Sequence, residues 1–218
     1  MLSAYYAKRG VEPVYAIFRS RGFSANWEIE GTDHENIPMA ALPPFLRTLL
    51  LTDGTVTKSL EAFYWESIDV ETVSQAVVRT EADIEWLDVG RGEEVIGRRV
   101  NLRGRTSGVL YTRANSLIRP LLIPEALRGG LMTGSLGIGE LIRDCGLETY
   151  RELLEIGVSG PVPASADAGA GAHIHRTYRI VVGGKPAILI TEYFPIALFS
   201  PGGHGASFVA QDGQPGGG

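Results

Sequence analysis

Two alternating apolar runs, residues 174–182 and 186–197, meet at Gly183-Gly184-Lys185, and strands joined by so short a link must return antiparallel. Further β-like segments follow one another at 68–80, 94–103, 108–118 and 148–157. Helical spacing is confined to shorter pieces. "FLRTLLLTDG", from Phe45, stops at Asp53-Gly54; "TVTKSLEAFYW" reads as a turn followed by a short helix; and "IPEALRGGLMTGSLGIGELIRDCG" has helix-turn-helix character. That last stretch is interrupted by Gly129, Gly130, Gly134, Gly137 and Gly139, a density that suggests a loop approaching something closely. Short strands in succession with few long helices predict an α+β fold, one domain built on an antiparallel sheet flanked by helices, rather than a βαβ fold.

The size fits one such domain. At 218 residues, with 44% hydrophobic and 21% charged residues, the chain can bury one sizeable core, and two full domains would be cramped. Residues 41–199 carry the patterned segments. Residues 1–40 form an N-terminal extension that ends in the polar, Pro-rich connector "GTDHENIPMAALPP". Residues 200–218 read as a flexible tail, and the small, Gly/Ala-rich stretch 159–173 as mobile. A formal net charge of −5, with no dense Lys/Arg run, argues against nucleic acid as a partner. Cys145, the one cysteine, excludes an internal disulfide and reads as a small core residue. The N-terminus lacks the apolar core of a signal peptide and no stretch is long enough to span a bilayer, so the expectation is a soluble cytoplasmic protein without a membrane partner.

Two charges sit where the strand pattern wants apolar residues. In "VIGRRVNLRG", residues 95–104, Ile96, Arg98, Val100 and Leu102 share one parity, whereas Arg99 falls on the polar one with Asn101 and Arg103. A guanidinium does not escape burial by losing its proton, so an inward Arg98 needs an anion, from the protein or from a ligand. In "PAILITEYFP", Glu192 shares a parity with Ile188, Ile190 and Phe194. A purely structural account pairs Glu192 with Arg98, or with His175, Arg176 or Arg179 of its own hairpin, according to turn register.

Other chemistry-bearing residues say less. His173 and His175 share a strand face, but no third ligand accompanies them, so no metal site is expected. Gly134, Gly137 and Gly139 lack the strand and ribose-binding acid of a dinucleotide fingerprint, and Asp53-Gly54 is most simply a turn.

The order and separation of "LLLTDGTVTKSLE", "GRRVNLRGRTSGVLYTRANSLI", "GSLGIGELI" and "RTYRIVVGGKPAILITEYF" resemble the chorismate pyruvate-lyase family over roughly residues 42–198. The resemblance implies an antiparallel sheet with an internal site under flaps, and a cofactor-free elimination of pyruvate from chorismate to give 4-hydroxybenzoate. It implies that Arg98 grips the ring carboxylate with help from the Val56 and Leu136 backbone N–H groups, and that Glu192 meets the ring hydroxyl. Arg176 and Arg179 are then candidates for the enolpyruvyl carboxylate. The chain departs from the family pattern at Ser135, where many relatives have proline, and at Thr177, where relatives often have a second arginine. Two alternatives stay open: the same pocket acting on another cyclic carboxylate, and a small-molecule-sensing domain.

Overall fold

The structure is a computed structural model and describes residues 1–10, 27–30, 36–133, 136–159 and 172–200. Most of the Gly/Ala-rich stretch, the tail, and Gly134 with Ser135 lie outside the described residues. In chain order the elements are α1 (Ser3–Tyr6), β1 (Glu28–Glu30), β2 (Asn36–Pro38), α2 (Pro44–Leu51), α3 (Val56–Tyr64), β3 (Ile68–Arg79), β4 (Glu94–Gly104), β5 (Leu110–Ile118), α4 (Glu125–Thr133), α5 (Ile138–Asp144), β6 (Tyr150–Ser159), β7 (His173–Val182), β8 (Lys185–Pro195) and α6 (Ile196–Phe199). Every segment predicted as strand is a strand, within two or three residues at its ends.

Six strands form one antiparallel sheet in the order β3-β4-β5-β8-β7-β6. The β7–β8 hairpin turns on Gly183 and Gly184, whose φ values of 56° and 77° are both positive. That is the pattern of a two-residue hairpin loop matched to strand twist, and it pairs Val182 with Lys185. Lys185, read from sequence as part of the link, is therefore the first residue of β8. The register follows from there and sets Arg176 opposite Glu192, Tyr178 opposite Ile190 and Ile174 opposite Phe194.

Helices α2 to α5 cover one sheet face in two blocks. α2 starts with Pro44 in its first turn and buries Leu46, Leu49 and Leu50, one helical stripe. Together with Val56 and Leu60 of α3 these pack against Val100, Leu102, Ala114, Ile156, Ile174 and Phe194. α4 and α5 supply Leu127, Leu131, Ile138, Leu141 and Ile142 to a second cluster with Ile96, Ile118, Tyr178, Ile180, Ile188 and Ile190. Between the two clusters lies the strip of sheet that carries the buried charges. No helix among the described residues is long and apolar enough to cross a membrane.

The N-terminal residues have a place that their composition does not disclose. Tyr5 is buried on the opposite sheet face with Trp86, Leu87, Leu117, Leu154 and Leu189. Its hydroxyl hydrogen-bonds Thr191 Oγ1 at 2.7 Å, and Thr191 Oγ1 in turn lies 2.9 Å from Thr177 Oγ1. Lys8 pairs with Glu155, and Trp86 Nε1 donates to the Gly10 carbonyl at 2.7 Å. β1 lies beside β6. Burial raises the Tyr5 pKa well above that of an ordinary phenol, so the hydroxyl stays neutral.

Tyr5→Phe removes one buried hydrogen bond and leaves the ring packed. The expected loss is about 1 kcal/mol of unfolding free energy, read as a lower denaturant midpoint at unchanged slope. A change within error would mean that Tyr5 contributes packing alone.

Candidate active site

Arg98, Arg176 and Glu192 share the helix-covered sheet face, as the parity of Arg98 and Glu192 requires. They are 1%, 2% and 7% exposed, whereas Arg99 is exposed and donates from Nε to Ser74 Oγ at 2.8 Å. The open question about Glu192 is answered by the register. Its partner is Arg176, directly across β7–β8, with Arg176 Nε donating to Glu192 Oε2 at 2.7 Å. Glu192 thus stands in ionic rather than purely apolar surroundings.

The Arg176 guanidinium is held on several sides. Nη1 donates to the Thr52 carbonyl at 2.6 Å, and Cζ lies 4.9 Å from the Tyr178 ring centroid. Burial opposes its charge, but Glu192 and Tyr178 outweigh that, and its pKa stands above the usual arginine value. The Tyr178 hydroxyl donates to Glu192 Oε1 at 3.4 Å. Burial first and the Glu192 carboxylate second keep this phenol protonated well beyond its usual range.

Arg98, on β4, donates from Nη2 to Thr72 Oγ1 at 3.2 Å and to the Leu136 carbonyl at 2.9 Å. Burial pulls its pKa down from the ordinary value. Leu136 does reach Arg98, but the group shown meeting the guanidinium is its carbonyl, not the N–H that the resemblance assigns to ligand binding.

A cleft enclosing about 520 Å³ of empty space, its solvent-open mouth included, opens on this strip. Glu192, Tyr178, Ser116 and Ile190 rise from the sheet as its floor. Gly54–Thr57, ahead of and inside the first turn of α3, form one wall, and Gly137–Gly139 at the start of α5 form another. Val56 is the first residue of α3, so its N–H has no acceptor within the helix. Gly139 is where the walls meet: a Cβ there would lie 3.1 Å from Thr55 Oγ1 and 3.2 Å from Thr55 Cγ2. The expected close approach of the glycine-rich segment is therefore to the other wall. Arg98 and Arg176 stand behind the lining.

Arg179 is not brought to this site. It follows Arg176 by three residues, an odd separation that sends its side chain to the other face. There Nε donates to Glu152 Oε2 at 2.5 Å and Nη1 to the Trp86 carbonyl at 3.3 Å. Its place as a candidate for the second carboxylate is corrected accordingly. The two histidines form no metal centre among the described residues: His175 Nε2 lies 3.7 Å from Glu155 Oε2, and no group of three or more His, Cys, Asp or Glu is placed to hold an ion. Cys145 is a half-buried free thiol at the end of α5.

Sequence reasoning missed Arg151 and Tyr178. Tyr178 was accessible, since it has the parity of Arg176, Ile174 and Ile180. Arg151 was not. A bulge between Leu153 and Glu155 shifts the β6 register, so alternation counted along the strand misassigns one end of it.

The chain is similar to known proteins. The family model described as Chorismate pyruvate-lyase Rv2949c-like matches residues 50–200, which include Val56, Arg98, Leu136, Arg151, Arg176 and Glu192. The chorismate pyruvate-lyase of Mycobacterium leprae (strain TN) is 34% identical over 162 residues, 71% of this chain and 75% of that protein. That of Mycobacterium tuberculosis (strain ATCC 25618 / H37Rv) is 27% identical over 168 residues, 73% and 83% of the two chains. Among solved structures, PhnF from Mycobacterium smegmatis superposes with a TM-score of 0.50 at 15% identity, covering 66% of this chain and 65% of that one, a likeness of fold.

Glu192→Ala leaves the Arg176 guanidinium buried without its carboxylate and is expected to cost about 3–5 kcal/mol of stability. Adding Arg176→Met should recover much of that loss, because both charges are then gone. The check is a double-mutant cycle by chemical denaturation; strictly additive losses would show that the two side chains do not act as a pair.

Proposed function

The chain belongs to the Rv2949c-like chorismate pyruvate-lyase family, and we propose that it eliminates pyruvate from chorismate to give 4-hydroxybenzoate in the cleft described above. The observation that carries this reading is the charge balance of one buried strip. Arg98, Arg176 and Glu192 are buried there between two apolar clusters and half-buried Arg151 lines the cleft beside them, three cations to one anion, which suits a cyclic dicarboxylate. The alternative of a sensing domain draws on fold likeness alone, whereas the lyase reading also has the sequence similarity of named lyases.

Chorismate carries a ring carboxylate, a hydroxyl at C4 and an enolpyruvyl ether at C3. In the reaction the C3–O bond breaks and its electron pair leaves on the enolpyruvyl oxygen. The C4–H bond gives its pair to the ring, which becomes aromatic, and that proton ends on the methylene carbon of the departing group, completing pyruvate. Atoms balance without water, oxidant or reductant, so the protein has only to align the breaking bonds and stabilise developing charge.

Each proposed role follows from position. Arg98 takes the ring carboxylate, for which its planar fork offers paired donors, and the Val56 and Leu136 N–H groups add uncharged ones. This requires the Leu136 carbonyl now on Nη2 to give way to a ligand oxygen. Glu192, on the cleft floor, accepts a hydrogen bond from the C4 hydroxyl and fixes the ring's rotation. Arg176, locked to Glu192, stabilises negative charge growing on the enolpyruvyl group.

Purified protein is expected to release equimolar pyruvate and 4-hydroxybenzoate from chorismate, at a rate that EDTA does not lower. No pyruvate, or activity lost to EDTA and restored by a divalent cation, would refute the reading. Strong thermal stabilisation by a different cyclic acid, with none by 4-hydroxybenzoate, would move the substrate to that acid.

Arg98→Lys keeps a charge but loses the fork. It should weaken 4-hydroxybenzoate binding by about 1.5–3 kcal/mol, while exposed Arg99→Lys stays within about 0.5 kcal/mol of wild type. Calorimetric titration of both variants is the check. Equal effects would remove Arg98 from the carboxylate site.

A further inference from the structure

Arg151 enters the charge balance above but has no role of its own in the reaction, although it lines the same cleft as Glu192 and Tyr178. It projects from β6, opposite Ile180 of β7, and its Nη1 donates to the Asp53 carbonyl at 2.6 Å. Arg176 Nη1 meets the preceding carbonyl, that of Thr52, at the same distance. Two arginines on neighbouring strands thus hold successive carbonyls of the loop that leads into Gly54 and the first turn of α3.

Each of these guanidiniums is only partly satisfied. Among the described residues, Arg151 Nε and Arg176 Nη2 are buried N–H groups without a hydrogen-bond partner, and Arg176 is 2% exposed. Two orphaned cationic donors, one on a residue that lines the cleft and one on a residue just behind that lining, are costly in a folded protein and call for an acceptor. Backbone carbonyls take one N–H from each residue; the geometry leaves the others to an anion with two oxygens. Arg98 lies four strand positions away across β4-β5-β8-β7-β6, roughly 19 Å between backbones at ordinary strand spacing, with both side chains reaching inward. An occupant that meets both ends is elongated and carries an anion at each.

Resting on the lyase reading, we propose that Arg151, together with Arg176, forms a second carboxylate subsite that binds the enolpyruvyl carboxylate, and that Arg151 is the residue by which the cleft distinguishes substrate from product. The substrate has two carboxylates and 4-hydroxybenzoate one. A donor that addresses only the second carboxylate adds affinity for the substrate and none for the retained product, so release after the bond breaks is not slowed by it.

The test uses 3-(carboxymethoxy)-4-hydroxybenzoate, an aromatic dicarboxylate that keeps both anionic ends and cannot aromatise further. By calorimetry, wild type should bind this probe more tightly than 4-hydroxybenzoate. Arg151→Gln should lose about tenfold or more of the probe affinity while 4-hydroxybenzoate affinity stays within about twofold, and Arg151→Lys should retain part of the difference. Thermal unfolding of both variants checks that the loop is still held. Wild type binding the two compounds alike, or Arg151→Gln weakening both equally, would overturn the subsite and leave Arg151 as an anchor for the loop. Chorismate turnover by wild type, measured separately, tests the lyase reading itself, because the probe titration does not depend on catalysis.

Discussion

The buried contact between Arg176 and Glu192 is the interaction on which the rest of the site depends. It joins register partners on β7 and β8, so it needs no loop to bring it together, and it places one guanidinium where it can also take the Thr52 carbonyl. Burying two opposite charges is expensive unless their remaining donors and acceptors are met. Here Tyr178 meets Glu192 from one side, and the Thr52 carbonyl meets Arg176 from the other. The loop between α2 and α3 is thereby tied to the sheet through a charge, and the position of the first turn of α3, which carries Val56, follows from that tie.

Apolar packing sets the boundary within which this polar strip survives. The cluster under α2 and α3 and the cluster under α4 and α5 lie on the same sheet face, and the charged residues occupy the line between them. Either cluster extended by one row would bury the strip without access, and either one withdrawn would flood it. On the reverse face, Thr191 precedes Glu192 and Thr177 follows Arg176 in sequence; the two hydroxyls are held to each other, and Thr191 is held to Tyr5. The backbone that carries the ion pair is therefore braced from behind by residues at the extreme N-terminus.

Much of this was legible in the sequence. Strict alternation in β4 and β8 marked Arg98 and Glu192 as inward, and both are buried on the face it indicated. The Gly183-Gly184 turn set the hairpin, and the leucine stripe set α2. The same alternation already separated Arg176 from Arg179, three residues apart, and keeping both as site candidates left that information unused. Other features had no signal to read. The β6 bulge hides the facing of Arg151, the orientation of the Leu136 peptide leaves no mark on a side-chain pattern, and nothing in the composition of residues 1–10 shows that Tyr5 is buried.

The strand order has one more consequence. β3, β4 and β5 form one continuous meander, β6, β7 and β8 another, and among the described residues the strands of the two halves pair through β5–β8, from Arg113 with Tyr193 to Ile118 with Ile188. Arg98 belongs to the first half; Arg151, Arg176 and Glu192 belong to the second. The cleft is thus an internal interface, assembled when two separately drawn ribbons are zipped along one seam, and the connection between them, α4 and α5, closes over the product of that zipping. Ala114 sits on the seam beside Glu192, where its single methyl leaves the carboxylate room. A chain of this design can vary the grip on one end of a ligand without redrawing the strands that hold the other.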